Sequence, residues 1–350
     1  MPRFSSRAIA LVAVLIGMLL SGGLGTSLRG QAPPPGVPTT PAGDVLGLGN
    51  FGHTVASLEK SVEFYHDVLG LELARPPAPF AVNDAISRMT DTVGGQSRIA
   101  VMKIPGAPWG VELIDYKDIQ RQPAHPRFQD PGAANLALRV RDLDPVMSAL
   151  KKAGAHVLTL GGEPTVRGKA RVVFVQDPDG FVVEINQPDP LPETTAPASS
   201  NVIGGGIEVT VGDAEKTARF YQDVLGFQPL ASGNPSFNGD KTMTDTAGTP
   251  GAQFRQTRAV VPGTSIPITF IEFQSIERNP LHTRVSDPGA AVLQLRVRDA
   301  GAVMNALKAA GATVVSVGGE PADLGNNLHI AIVRDPNNLF LELIQPPLAR

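Results

Sequence analysis

The sequence is written twice. Phe64-Tyr65-His66-Asp67-Val68-Leu69-Gly70 returns as Phe220-Tyr221-Gln222-Asp223-Val224-Leu225-Gly226, an offset of 220 − 64 = 156. Asp130-Pro131-Gly132-Ala133-Ala134 returns at 287–291, and Leu138-Arg139-Val140-Arg141-Asp142 at 295–299, both offset by 157. Gly161-Gly162-Glu163-Pro164 matches 318–321, and Asp177-Pro178 matches Asp335-Pro336. A near-constant offset over such a length means duplicated units, so the fold must be one that equivalent parts can build. Differences between the copies then carry information about function.

With 350 residues and 42% hydrophobic content, the chain can fill the cores of two ordinary domains. Its net charge of −3 is spread without long runs of one sign, so neither nucleic acid nor an anionic membrane is an expected partner. Cysteine is absent, which excludes disulfides, thiolate metal sites and Cys nucleophiles. At the amino terminus, Arg3 and Arg7 precede the apolar run Ala8–Leu20, then small residues and a Pro-rich stretch. That order predicts a signal peptide over 1–32 and export to the periplasm or beyond. The run is short for a membrane span of about 20 residues, so no membrane insertion of the mature chain is expected. An uncleaved signal anchor is the alternative.

Residues 33–43 and 188–200 read as linkers, rich in Pro, Thr, Ser and Ala and too polar to pack. They bracket two domains, 44–187 and 201–346. Each domain is itself double. In the first strand, Phe51, His53 and Val55 share one face while Asn50, Gly52 and Thr54 take the other. Further along, Leu136, Leu138 and Val140 oppose Asn135, Ala137 and Arg139. Ser57, Asp142, Asp213 and Asp299 each stand two positions past such a strand, where a side-chain oxygen can cap a helix. Gly70, Gly154, Gly226 and Gly311 close the four helices. Three short strands after each helix complete an α+β fold of four β-α-β-β-β modules.

This pattern resembles the vicinal oxygen chelate superfamily, which includes glyoxalase I, bleomycin-resistance proteins and extradiol dioxygenases. The carrying residues are Leu58-Glu59-Lys60-Ser61 with 64–70, then 138–144, then Asp177-Pro178-Asp179-Gly180-Phe181-Val182-Val183-Glu184. Their echoes extend the likeness over most of 44–346. The resemblance implies metal ligands on the first and last strand of each module, commonly His, Glu, His, Glu. Carried over, those positions fall on Asn50, Glu112, Asn135 and Glu184 in the first copy. In the second copy they fall on Gly206, Thr269, Val292 and Glu342.

Both family histidines are thus Asn in the first copy. Amide and carboxylate oxygens suit Ca, Mg or Mn, whereas Zn, Fe and Ni favour imidazole. Glu112 and Glu184 are therefore the expected catalytic residues of a first-copy cleft, either holding a divalent cation or moving a proton without one. Asn50, Asn135, Tyr116 and Arg139 share the presumed cleft faces and are expected to bind a small oxygen-rich ligand, the Arg favouring a carboxylate or phosphate. His53 belongs by parity with Phe51 and Val55, which makes it a core imidazole unless a bulge reverses the strand. No P-loop, dinucleotide fingerprint, nucleophile elbow or HExxH pattern occurs, so no nucleotide or flavin is expected. Three readings follow: an enzyme of the glyoxalase, dioxygenase or isomerase type, a metal-free sequestering protein of the resistance type, or a module with relic clefts.

Overall fold

The computed structural model describes residues 44–231 and 233–347. The expected signal peptide and first linker, 1–43, lie outside them. The first module runs β1 (Val45–Val55), α1 (Leu58–Glu63) continuing into a π turn (Phe64–Val68), β2 (Glu72–Leu73), α2 (Asp84–Met89), β3 (Gln96–Lys103) and β4 (Gly110–Lys117). The second contains β5 (Ala134–Val140), α3 (Asp144–Ala153), β6 (His156–Val157), β7 (Thr165–Arg167), β8 (Ala170–Gln176) and β9 (Val182–Gln187). The third contains β10 (Val202–Thr210), α4 (Ala214–Leu225), β11 (Gln228–Leu230), α5 (Lys241–Thr246), β12 (Gln253–Val260) and β13 (Pro267–Gln274). The fourth closes with β14 (Ala291–Val297), α6 (Ala300–Ala309), β15 (Thr313–Val314), β16 (Ala322–Asp323), β17 (His329–Arg334) and β18 (Phe340–Gln345). The α+β architecture of four β-α-β-β-β modules is as expected. The short helices α2 and α5, capped by Asn83 and Asp240, were not anticipated.

Three of the four expected caps form. Ser57, Asp213 and Asp299 accept the amide protons of Lys60, Lys216 and Ala302, each three residues on. Asp142 cannot repeat this, because the residue three further on is Pro145, which has no N–H. Its carboxylate accepts from the Asp144 amide instead. The four helix-closing glycines all take positive φ, between 65° at Gly154 and 100° at Gly311.

The modules are shared out between two nine-stranded sheets in a way that crosses the repeat. Sheet A has the order β15-β17-β18-β14-β1-β4-β3-β2, with β16 beside β17. Sheet B has the order β11-β12-β13-β10-β5-β9-β8-β6, with β7 beside β8. Modules one and four therefore make sheet A, joined by the antiparallel pair β1–β14. Modules two and three make sheet B, joined by β5–β10. This corrects the expectation of two self-contained halves. The first strand of each module is an open edge on one side, and an equivalent edge from the other copy satisfies it.

The linker 188–200 is likewise not a free tether. It joins β9 to β10, the two neighbours of β5 in one sheet. Thr194 Oγ1 donates to Ile203 O (2.9 Å) and Arg141 Nε to Ser200 O (3.0 Å). The largest core draws on all four modules, with Phe51, Leu113, Leu136, Val183, Val209, Phe270, Leu293 and Leu341 in one cluster. Smaller cores line the opposite face of each sheet, around Met89 and Ile332 in sheet A and around Phe128 and Phe273 in sheet B.

The repeated Asp-Pro-Gly-Ala-Ala motif marks where the copies cross. Asp130 pairs with Arg127 and accepts from the Asn279 amide of the second copy (2.8 Å). Asp287 pairs with Arg284 and accepts from the Gln122 amide of the first (2.8 Å). His53 is fully buried on the Phe51 and Val55 face, as parity predicts, with Nε2 2.7 Å from Asp177 Oδ2. Tyr65 donates to the same carboxylate, and Tyr221 donates to Asp335 in the other copy.

Candidate active site

The cross-repeat pairing separates residues that the sequence reading placed together. Asn50, Glu112 and Tyr116 belong to sheet A, whereas Asn135, Arg139 and Glu184 belong to sheet B. Glu112 and Glu184 therefore form no common cleft and cannot share an ion. Each meets a carboxylate from the second copy instead.

In sheet A the partner of Glu112 is Glu342. Between them lies Gln294, whose Nε2 donates to Glu112 Oε1 (3.1 Å) and to Glu342 Oε2 (3.0 Å). Its Oε1 accepts from the Asn50 amide (2.9 Å), while Asn50 Oδ1 accepts from Gly110 N (3.1 Å). The glutamine amide is thus fully satisfied. Both carboxyls are buried, and desolvation holds both well above the usual carboxylate range, Glu342 further through the charge of Glu112. Tyr116 lies beside them, its phenol also raised by burial and by the Glu342 charge. The space left over is an apolar cavity of about 30 Å³ among Ile86, Met89, Ile114 and Ile332. That holds a water and little more. Site A is closed by its own glutamine.

Sheet B is open. Glu208 on β10 stands opposite Asn135 on β5, and Asn135 Nδ2 donates to Glu208 Oε2 (2.8 Å). Glu184 on β9 accepts from Asn186 Nδ2 (3.2 Å), with the Arg167 guanidinium 3.6 Å from its Oε2. Burial pushes the Glu208 carboxyl up to about 7, and the charge of Glu184 adds to the rise. The Asn135 hydrogen bond and the charges of Arg167 and Arg258 oppose it. The carboxyl pair sits where two spaces meet. Outward is a cleft of about 380 Å³ walled by Trp109, Arg139, Arg258 and Thr269, at the small end of the range for small-molecule sites. Inward is a chamber of about 20 Å³ ringed by Phe128, Phe174, Phe254, Phe273 and Met243.

The donor set does not suit Zn, Fe, Ni or Cu, because imidazole is absent from both sites. In sheet B the Arg167 guanidinium stands 3.6 Å from Glu184, and the charges of Arg167 and Arg258 act on Glu208, so positive charge is already present there. Among the described residues, one His/Asp/Glu group has its donor atoms within 4.8 Å of one another, His53 with Asp177 and Asp179. It lies in the main core, and Tyr65, Ser61 and the Ala56 amide occupy its carboxylates.

Gly206 and Val292 are displaced by two residues from the polar side chains that do the work, Glu208 and Gln294. Both stand on regular stretches of their strands, one step along the same face from the carried-over positions. Residues two apart share a face, so a lone Glu two positions beyond three glycines was a readable signal. Arg167, Arg258 and Trp109 had none, since their closeness depends on pairing between distant strands.

The glyoxalase/bleomycin resistance protein/dioxygenase superfamily model matches twice, over residues 47–185 and 205–343. The chain belongs to that superfamily. A 2-epi-5-epi-valiolone epimerase from Actinomyces sp is 32% identical over 153 residues, covering 42% of this chain and 82% of that protein. A lactoylglutathione lyase of Arabidopsis thaliana is 24% identical over 178 residues, and the match spans 51% of this chain but only 54% of that relative. Among solved superfamily structures, glyoxalase I from Zea mays has a similar fold, with a TM-score of 0.56, 18% identity, and coverage of 85% of this chain and 92% of that one.

Proposed function

We propose that this superfamily member is a proton-transferring enzyme that acts on a carbonyl compound in the cleft of sheet B, with Glu208 as the proton carrier. The observation that carries this reading is a carboxyl held at about 7, at the floor of an open cleft, by burial and a second carboxylate. A general base works best when its pKa lies near the working pH. Removing a proton beside a carbonyl builds negative charge on oxygen, and Arg258 in the cleft wall is placed to stabilise it. Glu184 does not need to touch the substrate; its charge adds to the rise in Glu208 basicity that burial begins. A relative named as an epimerase fits this chemistry, since inverting a centre next to a carbonyl requires a proton to leave and return.

The test is exchange of carbon-bound hydrogen with deuterated solvent, followed by NMR on a panel of small α-hydroxyketones and α-hydroxyaldehydes. Glu208→Gln should slow exchange by about 10²-fold or more, the scale of a lost general base. Glu184→Gln should move the pH profile to lower pH, because Glu208 loses its repulsive neighbour. Glu342→Gln should exchange as the parent does. Undiminished exchange in Glu208→Gln would refute the assignment, and binding without exchange in the parent would point to a sequestering protein.

A further inference from the structure

We infer that the sheet B cleft selects a small hydroxylated anion, its carboxylate or phosphate group held by Arg139 and Arg258 above the bare backbone of Gly204–Gly206. This deepens the proposed function, since it names the substrate class of that site. Three consecutive glycines inside a strand weaken it and call for a reason. At Gly205 the reason is packing: a Cβ would lie 3.3 Å from Ile104 and 3.4 Å from Trp109. At Gly204, with φ +148°, a Cβ would come within 2.9 Å of the Arg139 guanidinium, so glycine lets that group lie across the strand. At Gly206 packing demands nothing. The nearest atom to a Cβ there is Ala137 Cβ at 3.9 Å, and the residue lines the cleft. A side chain would simply fill the space that glycine leaves.

Charge points the same way. Arg139 and Arg258 line the cleft and Arg167 stands just inside it, three guanidiniums against the two carboxyls of Glu184 and Glu208. The cleft is therefore cationic in a chain whose net charge is −3. Asn186 lines the cleft, and its buried Oδ1 has no hydrogen-bond partner. Acceptors in that state need donors, which the hydroxyl groups of a ligand supply. Site A offers neither cations nor room.

Trp109 is the only tryptophan and forms part of the cleft wall, so its fluorescence reads occupancy directly. The full chain is titrated with glycerate, with glycerol phosphate and with glycerol. Saturable change with one or both anions, and none with glycerol, is expected; the preferred anion tells carboxylate from phosphate. Arg139→Gln should weaken anion binding about tenfold or more, the usual loss for a hydrogen-bonded charge. Gly206→Leu should abolish it while melting like the parent. Glu208→Gln should retain or strengthen it, so loss of exchange with anion binding intact would separate the two readings. No response to either anion, equal binding of glycerol, or an unchanged Arg139→Gln would overturn the inference.

Discussion

Replacing Glu342 with Gln should make the protein more stable above neutrality and leave it nearly unchanged in mild acid. Glu112 and Glu342 are 3% and 5% exposed, and a single amide, Gln294 Nε2, serves both. Because their folded-state affinity for protons exceeds that of the unfolded chain, the native state keeps protons that the unfolded state releases. Stability is then full below the ordinary carboxylate pKa and falls as pH rises through the raised values. For Glu112, a rise from 4.5 to about 7 is worth about 3 kcal/mol at ~1.4 kcal/mol per pH unit. Glu342→Gln removes one of the two titrating groups, while its side-chain oxygen still accepts from Gln294. Urea unfolding at about pH 5 and about pH 8.5 should show the parent losing several kcal/mol and the variant roughly half of that. At the higher pH the variant should be the more stable protein. Parallel pH profiles, or a variant less stable than the parent at both values, would refute the raised carboxyl pair.

His53→Ala leaves Asp177 buried beside Tyr65 without its strongest partner, so a loss of about 3 kcal/mol is expected in thermal or urea unfolding near pH 6. The His53 pKa is raised by Asp177 despite burial, so the pair stabilises most below the free imidazole value and fades as pH rises through the folded one. The deficit of the variant should therefore shrink in alkali. Proteolytic cleavage within 188–200 should yield two fragments that co-elute in gel filtration, because each sheet needs a module from both sides of the cut. Separate elution of two folded halves would contradict the strand order.

The faces were legible and the edges were not. Alternation along 50–55 and 135–140 correctly put Phe51 and Leu136 in the core, and correctly made His53 a core residue. The repeat showed four modules because local signals, the caps at Ser57, Asp213 and Asp299 and the closing glycines, belong to single elements. Which module pairs with which is decided by long-range edge matching, and a duplicated sequence offers two equivalent solutions. That ambiguity grouped Glu112 with Glu184, although each faces a carboxylate of the other copy. The second-copy partners lie two residues along the same strand face from the carried-over positions, a step that the repeat spacing does not disclose. Gln294 was overlooked because an amide between two apolar leucines reads as an ordinary half-buried strand residue.

The crossing of the repeats also dictates an order of assembly. Sheet B is built from consecutive modules, and its central contact, Asn135 to Glu208, spans 73 residues. Sheet A unites the two ends of the described chain, and Asn50 meets Gln294 across 244. Loop closure and contact order favour the nearer pairing, so the inner sheet is free to form while the outer one waits. During synthesis the first module emerges earliest and finds its partner last. Until β14 arrives, β1 presents an unpaired, apolar edge, the kind of surface that draws chains into wrong association. The duplicated architecture thus places the catalytic candidate in the part that can fold early. The closed, glutamine-locked sheet, completed last, binds the first module to the fourth.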